Sequence, residues 1–145
     1  MGHISKILFS TLTLSLPILF ASSIQAEIVG HVEATIHHRF IVGNTTLPAG
    51  TYTFRMLQGT DLNAMSATSE DGNTSVEFLV RRSEDSHAPR HTELIFDRYG
   101  NNEFLLHIYE VGSKDGVTVI EPSREESRLE KRGVTPVEHT EEQEQ

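Results

Sequence analysis

Thr92-Glu93-Leu94-Ile95-Phe96-Asp97-Arg98-Tyr99-Gly100-Asn101-Asn102-Glu103-Phe104-Leu105-Leu106-His107-Ile108-Tyr109-Glu110-Val111 is the stretch on which the fold turns. Two apolar-rich runs, 92–98 and 103–111, flank Tyr99-Gly100-Asn101-Asn102. A Gly-Asn pair between such runs is hairpin chemistry, because both residues tolerate the backbone angles of a tight reversal. In the second run Phe104, Leu106 and Ile108 alternate on one face, with Leu105, His107, Tyr109 and Val111 on the other. Apolar side chains on both faces suit a strand covered on both sides; a one-sided docking surface is the alternative.

The segments around this hairpin follow the same period. Thr51 to Leu57 sends Tyr52, Phe54 and Met56 one way and Thr51, Thr53 and Arg55 the other. Ala34 to Val42 places Ala34, Ile36, His38, Phe40 and Val42 on one side. Asp71-Gly72 joins a weaker segment, 62–68, to 74–80, where Val76, Phe78 and Val80 share a face. Arg81 to His91 reads as a polar loop, and a last short strand, 117–120, follows the turn Gly112 to Gly116. Six to seven short strands without a helical period predict an all-β domain over residues 27–120, a small antiparallel sandwich or barrel. No helix alternates with the strands, which excludes Rossmann and TIM plans.

At Glu121 the composition changes. Ser123-Arg124-Glu125-Glu126 is a capping box, since the Ser123 hydroxyl can accept from the Glu126 amide while the Glu126 carboxylate reaches back. It predicts a short charged helix within 121–133, closed by Gly133. Residues 134–145 have the composition of a disordered acidic tail.

The chain of 145 residues carries 12 Lys+Arg against 21 Asp+Glu, a net charge of -9, with neither Cys nor Trp. Acid in excess of base argues against a nucleic-acid partner, which needs clustered cations for the phosphates. The absence of cysteine excludes thiol catalysis, cysteine zinc sites and disulfides. Residues 1–26 follow the three-part plan of a signal peptide: Lys6 near the start, the apolar run Ile7 to Phe20, then small and polar residues to Ala26. That run is shorter than the ~20 residues of a membrane-spanning helix. The expected mature protein is therefore exported, periplasmic or secreted, with no transmembrane segment and a net charge of -10.

For chemistry, histidines are the most suggestive residues. On an extended segment His31, Glu33 and His37 project from one face, and two imidazoles with a carboxylate suit a divalent metal; solvated histidines on an N-terminal strand are the plainer account. A second group, Glu84-Asp85-Ser86-His87 with His91, falls in a loop that Pro89 keeps from being helical. No Gly-x-Ser-x-Gly elbow and no glycine-rich phosphate loop occurs, so neither an enzyme nor a cofactor is expected. The leading expectation is a non-catalytic exported β-domain that binds a protein or envelope partner. A small-ligand or metal binder built on the His/Glu cluster comes second, and an unidentified hydrolase third.

Phe40-Ile41-Val42-Gly43-Asn44-Thr45-Thr46-Leu47-Pro48-Ala49-Gly50-Thr51-Tyr52 matches an F-x-V-G-x-x-x-L-P-A-G-x-Y pattern. With Phe96-Asp97-Arg98-Tyr99-Gly100-Asn101-Asn102 and Ser123-Arg124-Glu125-Glu126, it resembles a group of small exported bacterial proteins. The resemblance covers about 30 to 126 and implies a β-rich exported domain, with no catalytic residue to carry over. The motif itself reads as a folding element: Gly43-Asn44 reverses the chain, Pro48 sets a turn, Gly50 supplies a positive φ, and Tyr52 and Phe54 begin a core face.

Overall fold

In the computed structural model, which describes residues 30–57 and 63–144, the chain is mostly β with one short helix. The signal peptide read over residues 1–26 lies outside the described residues. The strands are β1 (His31–Ile36), β2 (Phe40–Val42), β3 (Thr45–Leu47), β4 (Gly50–Met56), β5 (Ala64–Ser69), β6 (Ser75–Glu84), β7 (Thr92–Tyr99), β8 (Asn102–Tyr109), β9 (Asp115–Val119) and β10 (Val137–Gln143). Helix α1 (Arg124–Lys131) lies between the last two.

Among the described residues, ten strands replace the six to seven expected. The segment read as one strand over 34–42 bends at His37-His38 and becomes β1 and β2. Thr45 to Leu47, between the turns at Gly43-Asn44 and Pro48 and not read as a strand, pairs with β2 as β3. Val137 to Gln143, read as disordered tail, pairs along its length with β7 as β10. In addition, β6 runs to Glu84, taking in residues assigned to the polar loop, because Arg81 to Glu84 pair with β9. In β10 and at the end of β6, backbone pairing overrode composition.

The strands form one open mixed sheet, ordered β1-β4-β5-β6-β9-β8-β2-β3, with β7 beside β8 and β10 beside β7. The expectation of a purely antiparallel sheet is corrected at one place, where Ile41 of β2 meets Phe104 of β8 in parallel. β7 takes the whole of one β8 edge, while β9 and β2 share the other.

Alternation builds the core. β1 buries Val32, Ala34 and Ile36, and β4 buries Tyr52 and Phe54 opposite them. Full burial of a side chain such as Phe54 contributes ~1.5–3 kcal/mol, so this row alone exceeds any surface interaction in the molecule. The L-P-A-G-x-Y segment works as a corner: the Tyr52 hydroxyl donates to the Pro48 carbonyl at 2.8 Å, and its ring meets Phe40 edge-on at 5.2 Å. Gly50 departs from its expected role. Positive φ falls at Gly43, Gly72 and Gly100, whereas Gly50 opens β4 opposite Ile36.

The 92–111 hairpin forms as expected, with a bulge that decides which side chains face inward. Phe96 pairs with Leu105 but Ile95 pairs with His107, leaving Leu106 as the extra residue. The inner face of β8 is therefore Leu105 before the bulge and Ile108 after it, not Phe104, Leu106 and Ile108. Glu103, two residues before Leu105, points inward with it and is buried. On the outer side Phe104 and Tyr99 meet edge-on at 5.6 Å, and both are buried, so the two faces of β8 are covered.

The capping box forms: Glu126 N–H donates to Ser123 Oγ at 2.9 Å, and Ser123 N–H donates to Glu126 Oε2 at 3.3 Å. At the other end Gly133 adopts φ 75°, and the Gly133 and Val134 amides donate to the Glu130 and Leu129 carbonyls. That is the Schellman closure of a helix. Among the described residues, no helix is long and apolar enough to cross a membrane.

β10 is held differently from the other strands. Its single apolar side chain, Val137, is 66% exposed, and none of its residues is buried. Ordering a backbone costs roughly 1–2 kcal/mol per residue, against about 0.5–1.5 kcal/mol net per ladder hydrogen bond. Pairing with β7 thus brings β10 only near break-even. The inward side chains His139, Glu141 and Gln143 must supply the balance.

Candidate metal centre

The inward polar groups converge where β10 passes the corner between β1 and β2. His38 occupies that corner, on the side of the chain that Ile36 and Phe40 assign to the core. Phe40 packs against Phe96 with centroids 6.0 Å apart, and Phe96 meets the His38 ring edge-on at 5.0 Å. An aromatic row thus carries the core up to the His38 imidazole. Glu103 enters from β8 through the register set by the bulge. His139 enters from β10 opposite Phe96, with ring centroids 5.2 Å from His38.

His38, Glu103 and His139 each offer one ligand atom, all within 4.8 Å of one another. His139 Nδ1 lies 3.2 Å from Glu103 Oε2, and His38 Nε2 lies 4.0 Å from the same oxygen. Bonds of about 2.0–2.2 Å at tetrahedral angles place ligand atoms about 3.4 Å apart. The observed separations bracket that value, and small side-chain rotations would equalise them.

The groups around the trio prepare it. Glu141 Oε1 lies 3.0 Å from His38 Nδ1 and also accepts the His37 N–H at 3.3 Å. A carboxylate only accepts, so a ring proton placed on Nδ1 would face Glu141 and would leave Nε2 free to ligate. That Nε2 is buried and has no hydrogen-bond partner. A carboxylate behind a histidine is the usual outer support of a metal ligand, fixing tautomer and ring orientation. Arg98 Nε donates to Glu103 Oε1, which leaves Oε2 turned toward both histidines. A borderline divalent ion, zinc or a neighbour in the transition series, suits two imidazoles and one carboxylate. It would take the place of the proton shared by His139 Nδ1 and Glu103 Oε2, and it would satisfy His38 Nε2.

The residues singled out by spacing fall elsewhere. His31 and Glu33 stand exposed on β1, alternating with the buried Val32 and Ala34. His37 lies past the end of β1 with an 80% exposed side chain. Among the described residues, the trio brought together is His38, Glu103 and His139 rather than His31, Glu33 and His37.

In the 84–91 segment, Ser86 Oγ contacts both His87 Nδ1 at 2.7 Å and Asp85 Oδ1 at 3.0 Å on an exposed turn. Asp85 receives the Ser86 hydroxyl and the His87 backbone amide, and these contacts lower its pKa. It orients the serine instead of the imidazole, which differs from the base-orienting order of a hydrolytic triad.

On the outer face, burial pushes up the pKa of Asp97, with Glu138 and Glu130 adding to the effect. Burial likewise pushes up Glu126, against the opposing Ser123 amide. His107 moves the other way: burial lowers its pKa, and its Nδ1 bonds Thr118 Oγ1 at 2.8 Å. No protein-family model, curated protein or solved structure matches the chain.

Proposed function

We propose that this chain is an exported, non-catalytic β-domain that binds one divalent transition-metal ion through His38, Glu103 and His139. The observation that carries the reading is His38 Nε2, buried without a hydrogen-bond partner, while Glu141 Oε1 lies 3.0 Å from the other ring nitrogen. A buried ring nitrogen without a partner is costly, and a cation shared with Glu103 would supply one. The exported part rests on the leader-like residues 1–26 and on the resemblance to small exported proteins. The non-catalytic part rests on the lack of a nucleophile frame in the sequence. A protein or envelope partner belongs to the same proposal.

Elemental analysis of the protein purified from the extracytoplasmic fraction tests it. About one equivalent of zinc, copper or nickel per chain is expected, reduced to background in His38→Ala. Recovery of the protein only from the cytoplasm, or metal at background in the wild type, would count against it.

A further inference from the structure

Resting on that metal reading, we infer that the ion acts as a clasp for the C-terminal strand: by joining His139 of β10 to His38 and Glu103, it fastens β10 over the edge of β7. The ligands come from distant segments, with His139 lying 36 residues beyond Glu103, so the site exists only when β10 is docked. Among the described residues, β10 has a backbone ladder on one side alone, to β7. Toward β1 it is joined by side chains: Gln143 Oε1 accepts the Thr35 N–H at 2.7 Å, and Glu141 Oε1 accepts the His37 N–H at 3.3 Å. No residue of β10 is buried, so apolar packing does not secure it.

Two of its three inward side chains belong to the metal centre, His139 as a ligand and Glu141 as the support of His38. An ion that binds only the docked arrangement shifts the docking equilibrium in proportion to its occupancy. The consequence lies at β7. With β10 in place, Thr92 to Tyr99 are paired on both edges, to β8 and β10. With β10 released, one edge presents unpaired N–H and C=O groups, to which an extended segment of another chain can add as a strand. Metal supply thereby controls whether this edge is open.

Hydrogen exchange of the full exported chain, read by mass spectrometry with zinc alone and after chelation, tests the clasp, with calorimetry on the same samples. Zinc is expected to bind and to slow exchange across 137–143 and 92–99 by about tenfold or more, leaving β4 and β5 unchanged. In His139→Ala the zinc-dependent slowing should vanish while β4 and β5 stay protected. Zinc binding with unaltered exchange in 137–143 overturns the clasp and leaves the metal reading standing. No zinc binding overturns the metal reading and the clasp with it.

Discussion

His139 Nδ1 lies 3.2 Å from Glu103 Oε2, so the last strand is tied by a side chain to β8, two places away across β7. Glu103 is 6% exposed and takes Arg98 on its other oxygen. One buried carboxylate therefore holds three strands in register and supplies the anionic ligand of the proposed centre. A buried carboxylate is tolerated when its oxygens are partnered, and here Arg98 and His139 each meet one of them.

Replacing Glu103 with Ala should lower stability by roughly 1–3 kcal/mol, because Arg98 and His139 lose a common acceptor. Urea unfolding of Glu103→Ala, Arg98→Ala and the double variant gives the coupling directly. The double variant should cost less than the sum of the single ones. Strict additivity would show that the pair is incidental.

Gly116 and Gly50 should respond in opposite ways to alanine. A Cβ at Gly116 would run into the Tyr109 ring and the Ile108 carbonyl, and backbone has little room to give. The loss should reach about 2 kcal/mol or more. At Gly50 the nearest atom, Tyr52 Cε2, is 3.7 Å away, which is ordinary contact, and φ is not positive. Thermal unfolding of Gly50→Ala should differ little from wild type; equal losses at the two sites would contradict this packing.

His107 makes stability depend on pH. Burial holds its pKa below the ordinary 6.5, so the unfolded chain takes up the proton more readily than the folded one. Its contribution is full above 6.5 and is lost as pH falls through the depressed folded value. His107→Gln should thus show a shallower loss of urea midpoint than wild type between neutral pH and about pH 5. Parallel curves would mean that another group titrates.

The strands were legible where alternation and turn chemistry agreed: β4, the β5–β6 hairpin and the existence of the 92–111 hairpin follow from them, while the bulge in β8 changes which of its side chains face inward. The capping box was legible too, since its spacing is its mechanism. The metal centre was not, for three separate reasons. The bulge at Leu106 changes the facing of β8, and strict alternation therefore places Glu103 on the wrong side. Composition hides β10, whose sequence V-E-H-T-E-E-Q offers almost nothing apolar to bury. His38 did carry a signal, as a histidine between Ile36 and Phe40 on an otherwise apolar face. Spacing along one strand drew attention to His31, Glu33 and His37, whereas the converging ligands come from three segments.

Zinc calorimetry on wild type, Glu103→Gln and His139→Ala, each confirmed folded by circular dichroism, addresses the metal centre most directly. A single site with one ion per chain is expected in the wild type. Either substitution should weaken it by about 10–100-fold or more. Wild-type heats indistinguishable from buffer, or equal affinity in all three proteins, would contradict a centre built from His38, Glu103 and His139.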